Sequence, residues 1–267
     1  MINQSTIERL RAMKLPAMAN ELEKQMLDSV TYSKLGFEER LGLLVDCEWS
    51  KRRQNKLNHL IRSARFSDSN ASIEAIEYHE DRKLDKAEML RFSTCDYIVR
   101  GHHIILKGAS GNGKTFLACA LGNAACRKFH SVRYVRMPEL LDELAVARSA
   151  NETRKVLKAY KKIDLLIIDE WLIRKLTPAE SLEILELVDA RAKKSIIFCT
   201  QYENEGWYAR INSSEESEAT VSDAIMDRIV HNSFTVSLEG KISMRERHGI
   251  NFSENAVPEC GGTDVVF

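Results

Sequence analysis

The chain has 267 residues, of which 44% are hydrophobic and 29% charged, a balance typical of a globular protein with one large domain or a domain and a smaller appendage. Lys+Arg and Asp+Glu each total 39, so net charge alone indicates neither a nucleic-acid nor a membrane partner. No apolar run approaches 18 residues and the N-terminus lacks the apolar core of a signal peptide, so we expect a cytoplasmic protein.

The first third of the chain is predicted to be helical. Pro16 suits the first turn of a second helix, and a long helix is expected from about Phe37 to about Ala64, with apolar residues at helical spacing. Residues 67–80 have the composition of a linker with one short helix. We therefore predict an N-terminal all-helical domain over residues 1–66, followed by a linker over residues 67–84.

The C-terminal half of the long helix is strongly basic. Residues 49–66 contain six Lys or Arg and no acid, and these cations flank an apolar stripe on the helical wheel. A solvated helix face is the usual explanation of such a run, whereas six phosphate contacts per subunit would give a salt slope of about −5. The candidate DNA-binding residues are Lys51, Arg52, Arg53, Lys56, Arg62 and Arg65. Arg133 and Arg136 are second candidates.

From residue 100 onward, short apolar runs alternate with helical stretches. Strands are expected at HHIILKG, SVRYVRM, DLLIIDE and SIIFCT, and helices at 114–128, from Pro138, and near 178–192. Continuous apolar strands separated by helices predict an α/β fold with a parallel sheet covered by helices on both faces. This second domain is placed at 85–250, with a surface loop at 211–222 and a disordered tail at 251–267.

A phosphate-binding loop follows the first of these strands. The pattern Gly108-x-x-x-x-Gly113-Lys114-Thr115 lies between a strand and a helix, which is the context that a P-loop requires. Backbone N–H groups and the helix N-terminus would bind the phosphates, Lys114 the β- and γ-phosphates, and Thr115 a Mg²⁺ ion. The nucleotide-binding residues are Gly108, Ala109, Ser110, Gly111, Asn112, Gly113, Lys114 and Thr115.

An acidic pair ends a later strand. In DLLIIDEW, Asp169 is expected to hold Mg²⁺, while Glu170 is expected to orient an attacking water. A small-molecule kinase has no evident use for the second acid, so the pair favours ATP hydrolysis. The next strand ends in Thr200-Gln201, where a hydroxyl or amide could bond the γ-phosphate or the water. Arg228 lies on a short amphipathic helix, where one cation is as often plain surface as functional.

Several segments together resemble the IstB-like transposition helper ATPases, which are AAA+ proteins related to the DnaC helicase loader and the DnaA initiator. They are GASGNGKTFLACALGNAACRK, SVRYVRMPELLDELAVAR, DLLIIDEW and DAIMDRIVHNSF with GKISMRER. RLRAMKLPAMANELEKQ and FEERLGLLVDCEW extend the likeness to the N-terminal region. The resemblance covers about residues 5–248 and implies an AAA+ ATPase domain.

The family resemblance also implies functional roles. Thr200 matches the sensor-one position, Arg228 matches an arginine finger offered to the neighbouring subunit, and Arg245 is the candidate for sensor two, with Arg247 as its competitor. The implied partners are double-stranded DNA, a cognate transposase and other copies of the chain, assembled with ATP and Mg²⁺. Hydrolysis, with the catalytic residues Lys114, Asp169, Glu170, Thr200, Arg228 and Arg245, is expected to release the assembly.

Three alternatives stay open. A helicase loader of the DnaC kind shares the ATPase core but uses its N-terminal region to grip a helicase. A nucleotide-dependent DNA scaffold would have negligible ATP hydrolysis. The presence of Glu170 argues against this alternative. A P-loop kinase would need a substrate-binding motif that the sequence does not show.

Overall fold

The computed structural model describes residues 2–211, 219–240 and 242–249. The chain divides into two compact units, Met1–Leu60 and Ile61–Phe267. No helix in the described ranges is both long enough and apolar enough to cross a membrane.

The N-terminal unit is built from helices. They are α1 (Ile2–Ala12), α2 (Pro16–Leu27), α3 (Ser29–Tyr32) and α4 (Phe37–Ala64), whose last four residues already belong to the second unit. Pro16 occupies the first turn of α2, as expected, and the buried carboxylate of Glu48 caps that helix by accepting the N–H groups of Ala17 and Met18 at 3.0 and 3.2 Å. Because Arg52 also bonds Glu48, the pKa of that carboxyl lies below its usual value.

The second unit holds a five-stranded sheet in which every pairing is parallel. Its strands are β1 (His103–Gly108), β2 (Val132–Arg136), β3 (Leu165–Asp169), β4 (Ser195–Thr200) and β5 (Ser233–Leu238), in the order β2-β3-β4-β1-β5. The predicted α/β class with a parallel sheet flanked by helices is confirmed. The first four strands match the predicted ones, whereas β5 was not predicted.

Nine helices described in this unit connect or cover the strands. They are α5 (Lys86–Ser93), α6 (Asp96–Arg100), α7 (Lys114–Arg127), α8 (Met137–Ser149), α9 (Thr153–Lys162), α10 (Pro178–Ala190), α11 (Asn204–Ile211), α12 (Ala219–Val230) and α13 (Met244–Arg247). One face of the sheet carries a continuous apolar cluster with Trp171, Phe198 and Trp207 in mutual ring contact. On α7, Gly122 leaves room for Phe66 and Ile167, which an added Cβ would meet at 2.4 and 2.9 Å.

Two expected loops have a different structure. Residues 67–84, expected as a linker, contain the short 3₁₀ helices Ile73–Ala75 and Glu80–Arg82 and pack on α7, where the Asn123 amide donates to the carbonyls of Ser69 and Ala71 at 3.2 and 2.7 Å. The expected loop at 211–222 is helical at both ends, since α11 ends at Ile211 and α12 begins at Ala219. Residues 212–218 and the expected tail at 251–267 lie outside the described ranges.

Helix α10 begins with a capping box whose carboxylate also pairs with an arginine. Thr177 and Glu180 bond each other's backbone N–H groups, and the guanidinium of Arg174 lies 2.7 Å from a Glu180 oxygen. The hydrogen bond from Arg174 lowers the pKa of Glu180 to about 2, against burial, which raises it. A depressed carboxyl pKa stabilises the fold above the unfolded value of 4.5 and loses that contribution as the pH falls toward 2.

We therefore expect the free energy of unfolding of the wild type to fall more steeply than that of Glu180→Gln as the pH is lowered from about 6 to about 3. Urea unfolding followed by circular dichroism measures this difference. Glu186→Gln, on an exposed position of the same helix, should keep the wild-type slope. Parallel curves for wild type and Glu180→Gln would contradict the assignment.

Candidate nucleotide-binding site

The P-loop connects β1 to α7, and its shape depends on glycine at two points. Gly113, directly before α7, has a φ of +83°, a conformation that residues with a Cβ rarely adopt. At Gly108 an added Cβ would lie 2.4 Å from the Leu238 carbonyl oxygen of β5. The first N–H groups of α7 have no partner within the helix and are therefore available to an anion.

The Lys114 ammonium lies over this loop and donates to the carbonyls of Gly108 and Ala109 at 2.7 and 2.8 Å. Burial lowers the pKa of Lys114 from its ordinary value. The loop borders a cleft of about 430 Å³, a size typical of small-ligand sites. It is lined by Ser110, Gly111, Gly113, Lys114, Thr115, Phe116, Asp169, Glu170, Trp171, Ile173, Cys199, Gln201, Met244, Arg245 and His248.

Asp169 is held by three hydrogen bonds. Its Oδ2 accepts the hydroxyl of Thr115 at 2.7 Å and that of Tyr134 at 2.8 Å, while Oδ1 accepts the Glu170 N–H at 2.8 Å. A hydroxyl and a carboxylate are the oxygen ligands that Mg²⁺ prefers. Thr115 and Asp169, the two metal ligands expected from the sequence, are thus adjacent and could hold Mg²⁺.

Glu170 forms a two-pronged ion pair with Arg136. One guanidinium nitrogen lies 2.7 and 2.8 Å from the two carboxylate oxygens, and the register of β2 and β3 places Arg136 beside Asp169. The hydrogen bonds that Arg136 donates to Glu170 raise the pKa of Arg136. Both Glu170 oxygens accept hydrogen bonds from Arg136. A water that is to bind Glu170 must therefore compete with Arg136 for these oxygens.

The end of β4 brings Gln201, and not Thr200, to the cleft. Side chains alternate along a strand, so Cys199 and Gln201 line the cleft while Thr200 points elsewhere. The Thr200 hydroxyl is buried, donates to the Trp171 carbonyl at 3.3 Å and accepts the Tyr202 N–H at 3.2 Å. Of the two side chains, the Gln201 amide therefore reaches the cleft and the Thr200 hydroxyl does not.

The two candidate arginines near the C-terminal end of the described chain have different surroundings. Arg245 lines the cleft, and its charge contributes to lowering the pKa of Lys114, after the larger effect of burial. Arg247 instead lies 2.5 Å from Asp81 in a largely buried ion pair. Geometry thus favours Arg245 over Arg247 as a ligand of the nucleotide.

The buried side chain of Arg82 supports the P-loop from outside the cleft. It donates to the Asn112 carbonyl at 2.9 Å and to the Glu77 carbonyl at 2.5 Å, and burial lowers its pKa. The Asn112 amide in turn donates to the Leu238 carbonyl at 3.0 Å. The side chain of Asn112 is therefore buried and braces the loop, whereas its predicted role as a nucleotide ligand concerns the backbone N–H.

Arg228 lies outside the cleft. It is exposed on α12, pairs with Asp189 of α10, and donates to the Ala224 carbonyl at 2.8 Å. It is not among the residues that line the cleft of its own chain. The arrangement leaves its guanidinium accessible to another molecule.

The six basic residues predicted to bind DNA are all exposed. Five lie on α4, and Arg65 follows the last residue of that helix. Arg52 is engaged within its own unit, since it bonds Glu48 at 2.8 Å and the Lys14 carbonyl at 2.9 Å. Of the second candidates, Arg136 is paired with Glu170.

Sequence reasoning missed two groups that shape the site. Tyr134 falls on an inward position of β2, but only knowledge that β2 lies beside β3 would have pointed it at Asp169. Arg82 lies in residues 67–84, which were predicted to form a linker. A single arginine shortly before α5 gives no local sign that it contacts the P-loop. Both depend on contacts between segments distant in the chain.

The sheet order, the P-loop after β1 and the acidic pair after β3 define the class of AAA+ ATPases. The chain belongs to the IstB-like ATP-binding protein family, whose model matches residues 8–251. It is 35% identical over 202 residues to an ATP-binding protein of insertion sequence IS1162 from Pseudomonas fluorescens, covering 75% of this chain and 87% of the relative. It is 32% identical over 248 residues to the insertion sequence ATP-binding protein y4pL from Sinorhizobium fredii, covering 92% and 98%.

Among solved structures, the chain resembles that of the DnaC helicase loader, with a TM-score of 0.53 and 16% identity. The match covers 64% of this chain and 97% of that one. At this identity the likeness shows a shared fold.

Replacing Tyr134 with phenylalanine should weaken the Mg²⁺-dependent part of nucleotide binding by about 2- to 12-fold, since Asp169 loses one hydrogen bond. Titrating Mg²⁺ while following a fluorescent ATP analogue measures this effect, and binding without Mg²⁺ should be unchanged. Tyr160→Phe removes a similar hydroxyl, bonded to Glu143 at 2.7 Å, and serves as the matched control. Equal Mg²⁺ dependence in both variants would show that Tyr134 does not position Asp169.

Arg136→Ala should raise the basal rate of ATP hydrolysis by roughly 1.4- to 5-fold, because Glu170 then has no ion pair to break before it can bind the water. This range corresponds to the free energy of an exposed ion pair. Steady-state phosphate release is the measurement. Arg127→Ala breaks another exposed ion pair, with Glu74 at 3.1 Å, and should leave the rate unchanged. A lower rate in Arg136→Ala would mean instead that Arg136 holds Glu170 in its working position.

Proposed function

We propose that this chain is the ATP-dependent helper protein of an insertion-sequence transposition system. ATP binding assembles subunits on double-stranded DNA, the assembly recruits a transposase and selects the target, and hydrolysis drives disassembly. The family and the named relatives support the insertion-sequence context. The observation that carries the proposal is the separation of Arg228 from an otherwise well-equipped nucleotide cleft.

Within one subunit, the described residues can bind and orient ATP. The α7 N-terminus and Lys114 hold the phosphates, and Arg245 adds a second cation at the cleft. Thr115 and Asp169 would hold Mg²⁺, which neutralises charge on the β- and γ-phosphate oxygens when bound. Glu170 orients the water and takes its proton, and the amide of Gln201 is placed to bond the γ-phosphate or that water.

The site is proposed to be completed by a neighbouring copy of the chain. Arg228 reaches outward from α12, so it can approach the γ-phosphate held by the next subunit. Leaving Asp189 costs about 0.2–1 kcal/mol for an exposed pair, while an arginine supplied in trans contributes about 10³–10⁵ in rate. Isolated monomers should therefore hydrolyse ATP very slowly.

The basic face of α4 is proposed to contact DNA phosphates. Its exposed cations lie on a helix of 28 residues, long enough to follow a duplex backbone. Because Arg52 is held by Glu48, we assign it a structural role in α2–α4 packing, and the proposed contact is made by Lys51, Arg53, Lys56 and Arg62 on the helix and by Arg65 directly after it. A few phosphate contacts per subunit bind weakly, so several subunits must act together.

The helicase-loader alternative is less well supported. The family model begins at residue 8 and therefore includes the helical N-terminal unit, and the two relatives named above come from insertion sequences. The likeness to the DnaC structure concerns the fold alone. A loader would bind a replicative helicase in place of a transposase.

Assembly is tested by the mass of the protein on a short duplex with a non-hydrolysable ATP analogue, with ADP and without nucleotide. We expect a large complex only with duplex and the ATP analogue. A protein that stays monomeric on duplex in all three states would refute the proposed function.

The shared site is tested by mixing two inactive variants. Arg228→Ala keeps its own cleft, and Glu170→Gln keeps its arginine, so each alone should lose about 10³-fold or more of the hydrolysis rate. In an equimolar mixture, a head-to-tail interface is active when the cleft of an Arg228→Ala subunit faces the arginine of a Glu170→Gln subunit. This is expected at about a quarter of the interfaces. Mixing Glu170→Gln with Lys114→Ala, both defective in the cleft, should recover nothing. If the first mixture is also inactive, Arg228 does not act across subunits.

A further inference from the structure

Helix α9, between β2 and β3, has two contrasting faces. Val156, Leu157 and Tyr160 face the apolar cluster of the second unit. The opposite face is exposed and carries a cation at half of the ten positions of the helix. These cations, the α9 basic face, are Arg154, Lys155, Lys158, Lys161 and Lys162.

Most of this charge is not used inside the protein. Lys155 lies 3.0 Å from Glu152, but the other four cations form no ion pair with any acid in the described ranges. Other exposed arginines of the same unit, such as Arg148 and Arg174, lie within 2.8 Å of a carboxylate. The α9 basic face is therefore a local excess of positive charge on a chain whose formal net charge is zero.

Helix stability does not explain this pattern. Cations in the last turn, such as Lys161 and Lys162, favour the negative end of the helix dipole, but Arg154 and Lys155 lie at the positive end, where the first turn has no acid. Arg154 and Lys158, and Lys158 and Lys162, are like charges four residues apart, which destabilises a helix. The arrangement costs stability, so a partner outside the fold is the better reason for it.

The helix is also fixed in place. Arg191 is fully buried, and its guanidinium donates to the carbonyls of Tyr160 and Ile163 at 2.5 and 3.0 Å, which holds the C-terminal end of α9. The Tyr160 hydroxyl donates to Glu143 at 2.7 Å. A rigid helix loses little freedom when its outer face binds, which favours affinity.

We propose that the α9 basic face is a second contact surface for the phosphate backbone of duplex DNA, on the ATPase unit itself. Arg154 and Lys162 are eight positions apart on the helix, a distance of about 12 Å along its axis that can span neighbouring phosphates of one strand. The inference rests on the proposed DNA-dependent assembly and adds a site to it.

The chemistry of the face favours duplex DNA over other anionic partners. It has no exposed aromatic side chain, since Tyr160 is buried, and single strands are bound by stacking bases on such rings. Ala159 is the one apolar residue exposed on α9, so a protein partner would find no large side chain to bury. Salt-sensitive binding without base readout is the expected behaviour.

The test compares two triple substitutions with the same change in net charge. Lys158→Gln with Lys161→Gln and Lys162→Gln neutralises the α9 basic face. Lys128→Gln with Lys175→Gln and Lys193→Gln neutralises three exposed lysines elsewhere on the same unit. Binding to a short fluorescent duplex is measured by anisotropy over a range of salt concentrations, with a non-hydrolysable ATP analogue.

We expect the α9 triple variant to lose at least about tenfold in duplex affinity and to show a salt slope less steep by about 2–3 per subunit. The control triple should keep the wild-type slope. Replacing the same three α9 lysines by arginine should restore binding. Thermal melting and binding of the ATP analogue verify that each variant is folded.

Equal slopes for the α9 variant and its control, with a wild type that binds duplex, would overturn the inference while leaving the proposed function intact. The same holds if the α9 variant keeps duplex binding but loses association with an acidic protein partner or with single-stranded DNA. A wild type that fails to bind duplex with the ATP analogue would instead refute the proposed function on which the inference rests.

Discussion

The carboxylate of Asp169 is the point on which the geometry of the cleft depends. It joins the first turn of α7, the middle of β2 and the end of β3, and it lies 54 residues after Thr115 and 35 residues after Tyr134 in the sequence. Parallel pairing makes this possible, because strands running in one direction bring their carboxyl ends to one edge of the sheet. Thr115, Tyr134 and Asp169 then share one oxygen atom at hydrogen-bond distance, so the position of each group limits that of the other two.

A second set of contacts fixes the P-loop from behind. Arg82, from the segment before α5, and the Leu238 carbonyl, at the end of β5, hold the backbone and side chain of Asn112. The Met244 N–H bonds the Gly111 carbonyl at 2.9 Å and thereby attaches α13 to the same loop. The shape of the P-loop thus depends on the segment before α5, the end of β5 and α13, none of which belongs to the loop. A substitution in these segments would change nucleotide affinity by changing the shape of the loop.

The sequence predicts those parts of the molecule whose signal is local. The P-loop, the acidic pair, four strands and the limits of α4 follow from motifs, apolar runs and helical periodicity, and the structure reproduces these elements. Strand β5 was missed because it is a polar edge strand with only Val236 and Leu238 buried, so it lacks the continuous apolar pattern of the others. Arg82, Tyr134 and the orientation of Thr200 were missed because they depend on which strands and segments become neighbours, which no single stretch of sequence contains.

The ion pair between Asp81 and Arg247 brings together two segments more than 160 residues apart. The segment before α5 thus meets the last described helix beside the P-loop, and the Glu239 N–H donates to the Arg82 carbonyl at 3.2 Å, which ties the end of β5 to the same segment. The segment before α5 and the last described helix are thus tied to each other as well as to the P-loop, so a substitution that weakens either one also removes support from the loop.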